Sequence, residues 1–356
     1  MIGFGANIRY RSGSGKAIAL THVNIREVAK KAGVSTATVS RVVNATVPVG
    51  AVTERRVRSA IKALGYYPNT HARTLGSGKS HMYGLIISDI SNPFFPDIAK
   101  CFERIAVEHG QELLIANTDY QPQRMQLCVR RMLERKVDGV AIMTSEMDPH
   151  LIRLLNKRGI PIVFLDTGRV GPYISNIFID YSNGIEKAIE HLVGLGHKKI
   201  AFVSGPATLA SANIRSDAFA LSLKKRGLKS AASYRKSGDH RIEGGQSAME
   251  ELLKLRQPPT AVIASNDLTA IGIIRAIHAA GLKVPGDISV IGFDDIEISK
   301  FLQPPLTTIR VPRAEIGVSA FTALYAASSK RAAHGTEYRI STELVVREST
   351  GPVKAK

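Results

Sequence analysis

The sequence predicts a small all-α domain followed by a larger α/β domain built on parallel sheets. Three observations predict it. Basic residues crowd the first 80 positions, three short helical patterns closed by turns fill residues 23–65, and short apolar runs alternate with helical stretches after residue 80. A chain of 356 residues with 44% hydrophobic content has material for two or three domains with real cores.

The charge is unevenly placed. Residues 1–80 carry thirteen Lys/Arg against only Glu27 and Glu54, a net +11 out of +18 for the whole chain. A compact basic module of this kind is the footprint of a polyanion binder. The first 22 residues, "MIGFGANIRYRSGSGKAIALTH", lack the continuous apolar segment of a secretory signal and read as a basic tail without fixed structure. Within them, "SGSGKA" fails as a phosphate-cradling loop. Tyr10 stands where the first glycine belongs, Ala17 replaces the magnesium-holding hydroxyl, and no strand precedes it. No apolar run approaches the roughly 18–20 residues that span a bilayer, so a cytoplasmic protein without membrane attachment is expected. Cys101 and Cys128 lie far apart in helical patterns, which suits buried inert thiols. Neither a metal nor a cofactor is expected.

The first helix is announced by Ile25, Val28, Ala29 and Ala32 at i, i+3, i+4, i+7. Asn24 can cap its start and Gly33 can stop it. Ser35 then caps a second helix whose inward positions are Val39 and Val42 or Val43. A third is expected to start at a Thr53 cap, turn Val57, Ala60, Ile61 and Leu64 inward, and end at Gly65. Helix, glycine turn, helix and supporting helix make a helix-turn-helix. The second helix, "VSTATVSRVVN", has short hydroxyl residues and one outward arginine, the composition needed to lie close in a DNA groove. Thr36 and Ala37 would face base edges, where methyl groups touch thymine, and Arg41 would reach guanine O6 and N7. Ser35, Thr38, Ser40 and Asn44 suit phosphate oxygens, which set register without reading sequence.

These residues carry a specific resemblance. "NIREVAKKAGVSTATVSRVVN" resembles the DNA-binding signature of the LacI/GalR family of bacterial transcriptional regulators, and "GYYPNTHARTL" resembles that family's hinge. The resemblance implies a hinge helix over Asn69 to Leu75 that includes Arg73 and forms when paired with its twin on DNA. Leu75 would wedge into a minor-groove base step, which costs unstacking and returns a bent, better-contacted duplex. Alone in water a helix of this length does not persist. "GSGKS" then links to the rest of the chain.

After residue 80, the runs "YGLIIS", "ELLIAN", "GVAIM", "PIVFLD", "KIAFVSG", "AVIAS" and "ISVIGF" alternate for the most part with helical patterns. This order predicts parallel sheets covered by helices on both faces, and ligands in such sheets bind outside the strands' carboxyl ends. Polar residues cluster there: Asp89, Asp166, Asn266 with Asp267, and Asp294. Carboxylates and amides with an arginine and an aromatic face suit a polyhydroxylated ligand.

Residues 81–350 resemble the same family's two-lobed sensor, of the type I periplasmic-binding-protein-like fold, through "SDISNPFF", "NTD", "VDGV", "GHKKIAFVSGP", "SND", "VIGFDD", "PPLTTI" and "ELVVREST". By that resemblance Phe94 and Phe95 form the aromatic part of the effector pocket. Asp166 makes a polar contact between lobes, Arg215 clamps the effector, and Asn266 and Asp294 hydrogen-bond it, with Asp89 nearby at its strand end. His240 stands where the family has a stacking aromatic; it adds a donor and is expected to titrate near pH 6–7. Arg241 is expected to face solvent; pointing inward, it would favour an acidic ligand.

The expected organisation is a tail over 1–22, a helix-turn-helix over 23–68, hinge and linker over 69–80, an effector-binding and dimerisation domain over 81–350, and a tail over 351–356. The lobes are expected at about 81–178 with 309–337, and 179–308 with 338–350. The function implied is that of a regulator, a repressor in most of the family, that binds a palindromic double-stranded DNA operator and answers allosterically to a sugar-like effector. The family's tetramerising heptad segment is not present after "REST", so a homodimer is expected. A solute-binding transport component would require export, and an enzyme of doubly wound fold would need G-x-G-x-x-G after the first strand or G-x-S-x-G. Neither motif occurs, and both readings leave residues 23–75 without a role.

Overall fold

A computed structural model describes residues 23–44, 47–67, 79–144, 148–166, 170–229, 231–329 and 334–354. The tail over 1–22 with its "SGSGKA", and the hinge residues Asn69, Arg73 and Leu75, lie outside the described residues. The chain forms two compact units, one within residues 1–78 and one from Lys79 onward.

The N-terminal unit holds α1 (Ile25–Ala32), α2 (Thr36–Asn44) and α3 (Ala51–Leu64). Asn24 caps α1 by accepting from the Arg26 and Glu27 amides, and the Glu27 carboxylate returns to the Asn24 N–H, a reciprocal capping box. Gly33 ends α1 at φ 62, and a Cβ there would stand 2.5 Å from the Arg56 guanidinium. Arg56 needs that space because it donates to the Ala32 carbonyl at 2.6 Å, tying α3 to the end of α1. The glycine therefore serves both the left-handed turn and the close approach. Val28, Val39 and Val57, one from each helix, are fully buried at the centre. Thr53 is not the cap of α3. That helix begins two residues earlier, at Ala51 after Gly50, and has no side-chain cap.

The second unit contains two six-stranded sheets. The first has the order β11-β5-β4-β3-β1-β2, formed by Met82–Ile87 (β1), Glu112–Asn117 (β2), Gly139–Met143 (β3), Ile162–Leu165 (β4), Ile174–Asp180 (β5) and Glu337–Ser341 (β11), all parallel. The second has the order β12-β10-β9-β8-β6-β7, from Ile200–Ser204 (β6), Arg235–Ser237 (β7), Ala261–Ala264 (β8), Ser289–Asp294 (β9), Thr307–Arg310 (β10) and Glu343–Val345 (β12). Only the β10–β12 pair is antiparallel. Helices α4 (Phe94–Glu108), α5 (Pro122–Glu134), α6 (Pro149–Lys157) and α11 (Arg313–Ser328) cover the first sheet. Helices α7 (Tyr181–Gly194), α8 (Ala210–Lys225), α9 (Ile242–Leu253) and α10 (Asp267–Ala279) cover the second. Strands β1, β3, β4, β8 and β9 are buried almost end to end, the continuous apolar pattern of parallel sheets covered on both faces.

The chain crosses between lobes after β5, after β10 and between β11 and β12. The third crossing, at Thr342, falls a few residues later than the sequence suggests. Strand β11 is the edge of the first sheet, paired with β5, and does not belong to the second lobe. The polar, weakly apolar run "EYRIS" offered no signal for that assignment.

Helices α9 and α10 meet at a glycine pair. A Cβ on Gly245 would lie 2.2 Å from the Thr269 carbonyl, and one on Gly272 would lie 1.9 Å from that of Ile242. Both obstacles are backbone, so neither can move aside cheaply. Gly272→Ala is expected to destabilise the second unit by roughly 1–3 kcal/mol, read as a lower midpoint in thermal or urea unfolding.

Candidate functional site

The exposed face of α2 is the first candidate. With Val39 and Val42 turned to the core, Thr36, Ala37 and Arg41 face outward. Among the described residues Arg41 makes no ion pair and no side-chain hydrogen bond. The Ser35 hydroxyl accepts from the Thr38 amide at 3.1 Å and pairs with the Thr38 hydroxyl at 2.9 Å. Ser40 accepts from Asn44 at 3.1 Å. These hydroxyls and the amide are thus held in place by one another, and each retains hydrogen-bonding capacity for an outside oxygen.

The second candidate is a cleft between the two sheets of the sensor unit. Its walls come from residues that follow strand carboxyl ends: Ser88 after β1, Thr144 after β3, Asp166 after β4 and Tyr181 after β5, with His240, Asn266, Asp294 and Val311 opposite. The cavity is about 70 Å³ in volume, smaller than the roughly 300–1,000 Å³ of sites that enclose a drug-sized ligand. Phe94 and Phe95, at the start of α4, pack edge to face with centroids 5.2 Å apart and form an apolar wall.

Arg215 is the buried cation of the cleft. Its Nη1 donates to the Ser265 carbonyl at 2.5 Å and its Nε to the Ser211 carbonyl at 3.1 Å. Its guanidinium carbon lies 4.9 Å from the Tyr181 ring centroid and 5.1 Å from that of Phe293. Two carboxyls share this environment. Burial pushes Asp166 up to about 6, opposed by hydrogen bonds from the Tyr181 hydroxyl at 2.5 Å and the Ile179 amide at 2.8 Å. Burial pushes Asp294 up to about 7, opposed by the charges of Arg215 and Arg313. Asp294 sits at φ 105, and its carbonyl accepts from Arg313 at the start of α11.

His240 stays neutral. Burial, seconded by the Arg215 charge, takes its imidazole down to about 3, so the titration near pH 6–7 expected from sequence is corrected. Its Nδ1 pairs with the Ser265 hydroxyl at 3.1 Å, and its ring fills the space where Gly205 lacks a Cβ. Asn266 caps α10 by accepting from the Thr269 amide at 2.8 Å, and its Nδ2 donates to the His240 carbonyl at 2.9 Å. It lines the cleft with one amide hydrogen left over.

Phe94, Phe95, Asp166, Arg215, His240, Asn266 and Asp294 therefore meet in one place. Asp89 does not line the cleft. Its Oδ1 is engaged by the amide and hydroxyl of Ser91 at 2.9 and 2.6 Å, as a turn-closing residue. Asp267 is likewise structural, accepting from Thr308 and the Ile296 amide. Arg241 is exposed, as expected, and does not line the cleft; it ion-pairs with Asp119 and Asp89. Sequence reasoning missed Tyr181, Thr144 and Ser88, although the strand-end rule would have found Thr144 and Ser88 had hydroxyl residues been included. Tyr181 was hidden because Ser175 and Asn176 interrupt the apolar run of β5.

Known proteins resemble both units. Residues 24–69 match the bacterial regulatory proteins of the LacI family, and residues 189–350 match a periplasmic binding protein-like domain. The HTH-type transcriptional repressor PurR of Mannheimia succiniciproducens is 36% identical over 326 residues, covering 91% of this chain and 98% of that protein. The chain belongs to the LacI family of bacterial regulatory proteins. As such it is a DNA-binding transcriptional regulator whose sensor domain takes an effector, and it is not an enzyme. Among solved structures of this family, the lac repressor dimer bound to operator and the anti-inducer ONPF matches with a TM-score of 0.82 at 30% identity, covering 92% of this chain and 99% of that one. A LacI family regulator from Enterococcus faecium with bound ribose matches with a TM-score of 0.69 at 28% identity, covering 77% and 100%. Among the described residues no helix is long and apolar enough to cross a membrane, and no group of His, Cys, Asp and Glu is arranged to hold a metal.

The buried carboxyls predict a pH dependence. An acid whose folded pKa lies above its unfolded value binds its proton more tightly when folded. Its contribution to stability is full below about pH 4 and is lost as pH rises through about 6 for Asp166 and about 7 for Asp294. Asp294→Asn is expected to match the parent near pH 4 and to exceed it above pH 7 by a few kcal/mol, because each tenfold change in proton affinity corresponds to about 1.4 kcal/mol. Ligand-free thermal unfolding across pH 4–8 measures this.

Proposed function

We propose that this regulator reads a palindromic operator with the exposed start of α2 and takes a neutral, polyhydroxylated effector, sugar-like in chemistry, in the cleft between its sensor lobes. The observation that carries the effector reading is Arg215, the one buried cation among the described residues lining the cleft, set among Asp166, Asp294 and a neutral His240. One arginine against two carboxyls disfavours a polyanion. Paired acceptors and donors beside the Phe94 and Phe95 wall suit vicinal hydroxyls on an otherwise apolar ring.

In this reading Thr36, Ala37 and Arg41 contact base edges, while Ser35, Thr38, Ser40 and Asn44 hold phosphates. Asn69, Arg73 and Leu75 form the DNA-dependent hinge. Phe94, Phe95, Asp166, Arg215, His240, Asn266 and Asp294 contact the effector. The protein acts as a homodimeric repressor in the cytoplasm, associated with the nucleoid when on its operator. The repressor names of its relatives and the dimer bound to operator support this. A twofold dimer matches a palindromic site. Effector binding shifts the population of lobe arrangements, and the hinge pair gains or loses its minor-groove site accordingly.

Two variants test the reading. Arg215→Ala is expected to abolish the effector response in operator-binding assays while leaving effector-free operator affinity within about two-fold, since the side chain lies in the sensor. A normal dose–response to a compound found by thermal-shift screening of pentoses and hexoses, D-ribose first, would remove Arg215 from the pocket. Arg41→Ala is expected to cost about 1–3 kcal/mol at one base pair and to relax preference there, measured by competition binding to single-substituted operators. An unchanged ranking would contradict the groove-reading role.

A further inference from the structure

We infer that Arg241, with Asp119 and Asp89, forms a latch across the mouth of the cleft that sets how much of the sensor is closed before any effector arrives. Arg241 belongs to the second lobe, immediately ahead of α9, while Asp89 follows β1 and Asp119 follows β2 in the first. The guanidinium Nη2 lies 2.8 Å from Asp119 Oδ1 and 3.6 Å from Asp89 Oδ2. Both carboxylates are held in position. Ser91 engages the other oxygen of Asp89, and Arg124 of α5 lies 3.6 Å from Asp119.

The backbone aims the two sides at one another. Asp119 and Tyr120 sit at φ 54 and 55 in the first lobe, and His240 at φ 64 in the second. Left-handed geometry in residues other than glycine persists only where its surroundings hold it. The Asp239 carboxylate receives the Arg241 amide at 2.9 Å, which closes the turn so that His240 lies inward and Arg241 outward. One residue from each side of the ion pair, the Tyr120 and His240 rings approach across the lobes with centroids 6.2 Å apart. Both rings line the cleft, whereas Arg241 does not.

That separation gives the latch its role. Arg241 can bias closure without touching the compound in the cleft, so it tunes apparent affinity through the fraction of closed sensor and leaves ligand choice to the interior. Its side chain is about half exposed, at 49%, while that of Asp89 is at 9%. A pair so placed shifts an equilibrium by about two- to five-fold and weakens with salt. The consequence for affinity rests on the cleft being the effector site. The latch itself does not, because it acts in the ligand-free protein.

The test is single-molecule energy transfer on the ligand-free full chain, with dyes attached through Gln126→Cys on α5 and Ser247→Cys on α9. Both native thiols are buried. Arg241→Gln is expected to lower the closed-to-open ratio by about two- to five-fold, Arg241→Lys to retain most of it, and Asp119→Asn to act only when Arg241 is present. High salt should bring the parent toward Arg241→Gln. An unchanged distribution in a folded Arg241→Gln variant, or an equal effect of Asp119→Asn with and without Arg241, would overturn the latch. Titration of the same molecules with D-ribose is read separately: no response there bears on the effector reading and leaves the ligand-free result standing.

Discussion

A buried arginine must be matched, and the sensor unit is arranged around that requirement. Arg215 has almost no contact with water, so its charge has to be met by carbonyls, ring faces and carboxylates. The carboxylates come from opposite sides. Asp166 stands at the end of β4 in the first sheet and Asp294 at the end of β9 in the second. Each is pushed up by burial and brought back toward ionisation by the same guanidinium. The cation therefore acts on both lobes at once, beside the Tyr181–Asp166 hydrogen bond and the Arg241–Asp119 ion pair. A ligand that hydrogen-bonds any member of this set enters an interaction both lobes already share.

His240 shows how the same burial decides chemistry as well as geometry. An exposed histidine after a strand would be a pH sensor. Here the imidazole is enclosed beside a fixed positive charge and remains a neutral donor and acceptor, with one nitrogen committed to Ser265. Among the described residues the pocket thus presents one cation and neutral or acidic partners, while the neighbouring Arg241 pairs with Asp119 outside it. Position in the fold, one residue apart in sequence, separates a pocket wall from an ion pair at the mouth.

Much of this was legible beforehand. The headpiece helices followed from Asn24, Gly33 and Ser35, because capping and left-handed turns are local demands that a residue type answers by itself. The strands with uninterrupted apolar runs were legible for the same reason. Strands β5, β7, β10 and β11 were not, since polar residues interrupt β5 and β10, and β7 and β11 are polar edge strands. The start of α3 was missed because Gly50 supplies no side-chain cap to recognise.

At the cleft, the chain by itself determined which residue types stand after the strands, and parallel topology then requires those ends to gather on one edge of each sheet. Only the folded molecule decided which of them face the cavity. Asp89 and Asp166 look alike in sequence, yet one closes a turn with Ser91 and the other meets Tyr181 inside the pocket. The difference lies in neighbours contributed by distant segments. Burial, pairing and pKa arise from that assembly of the two lobes, and no local pattern carries them.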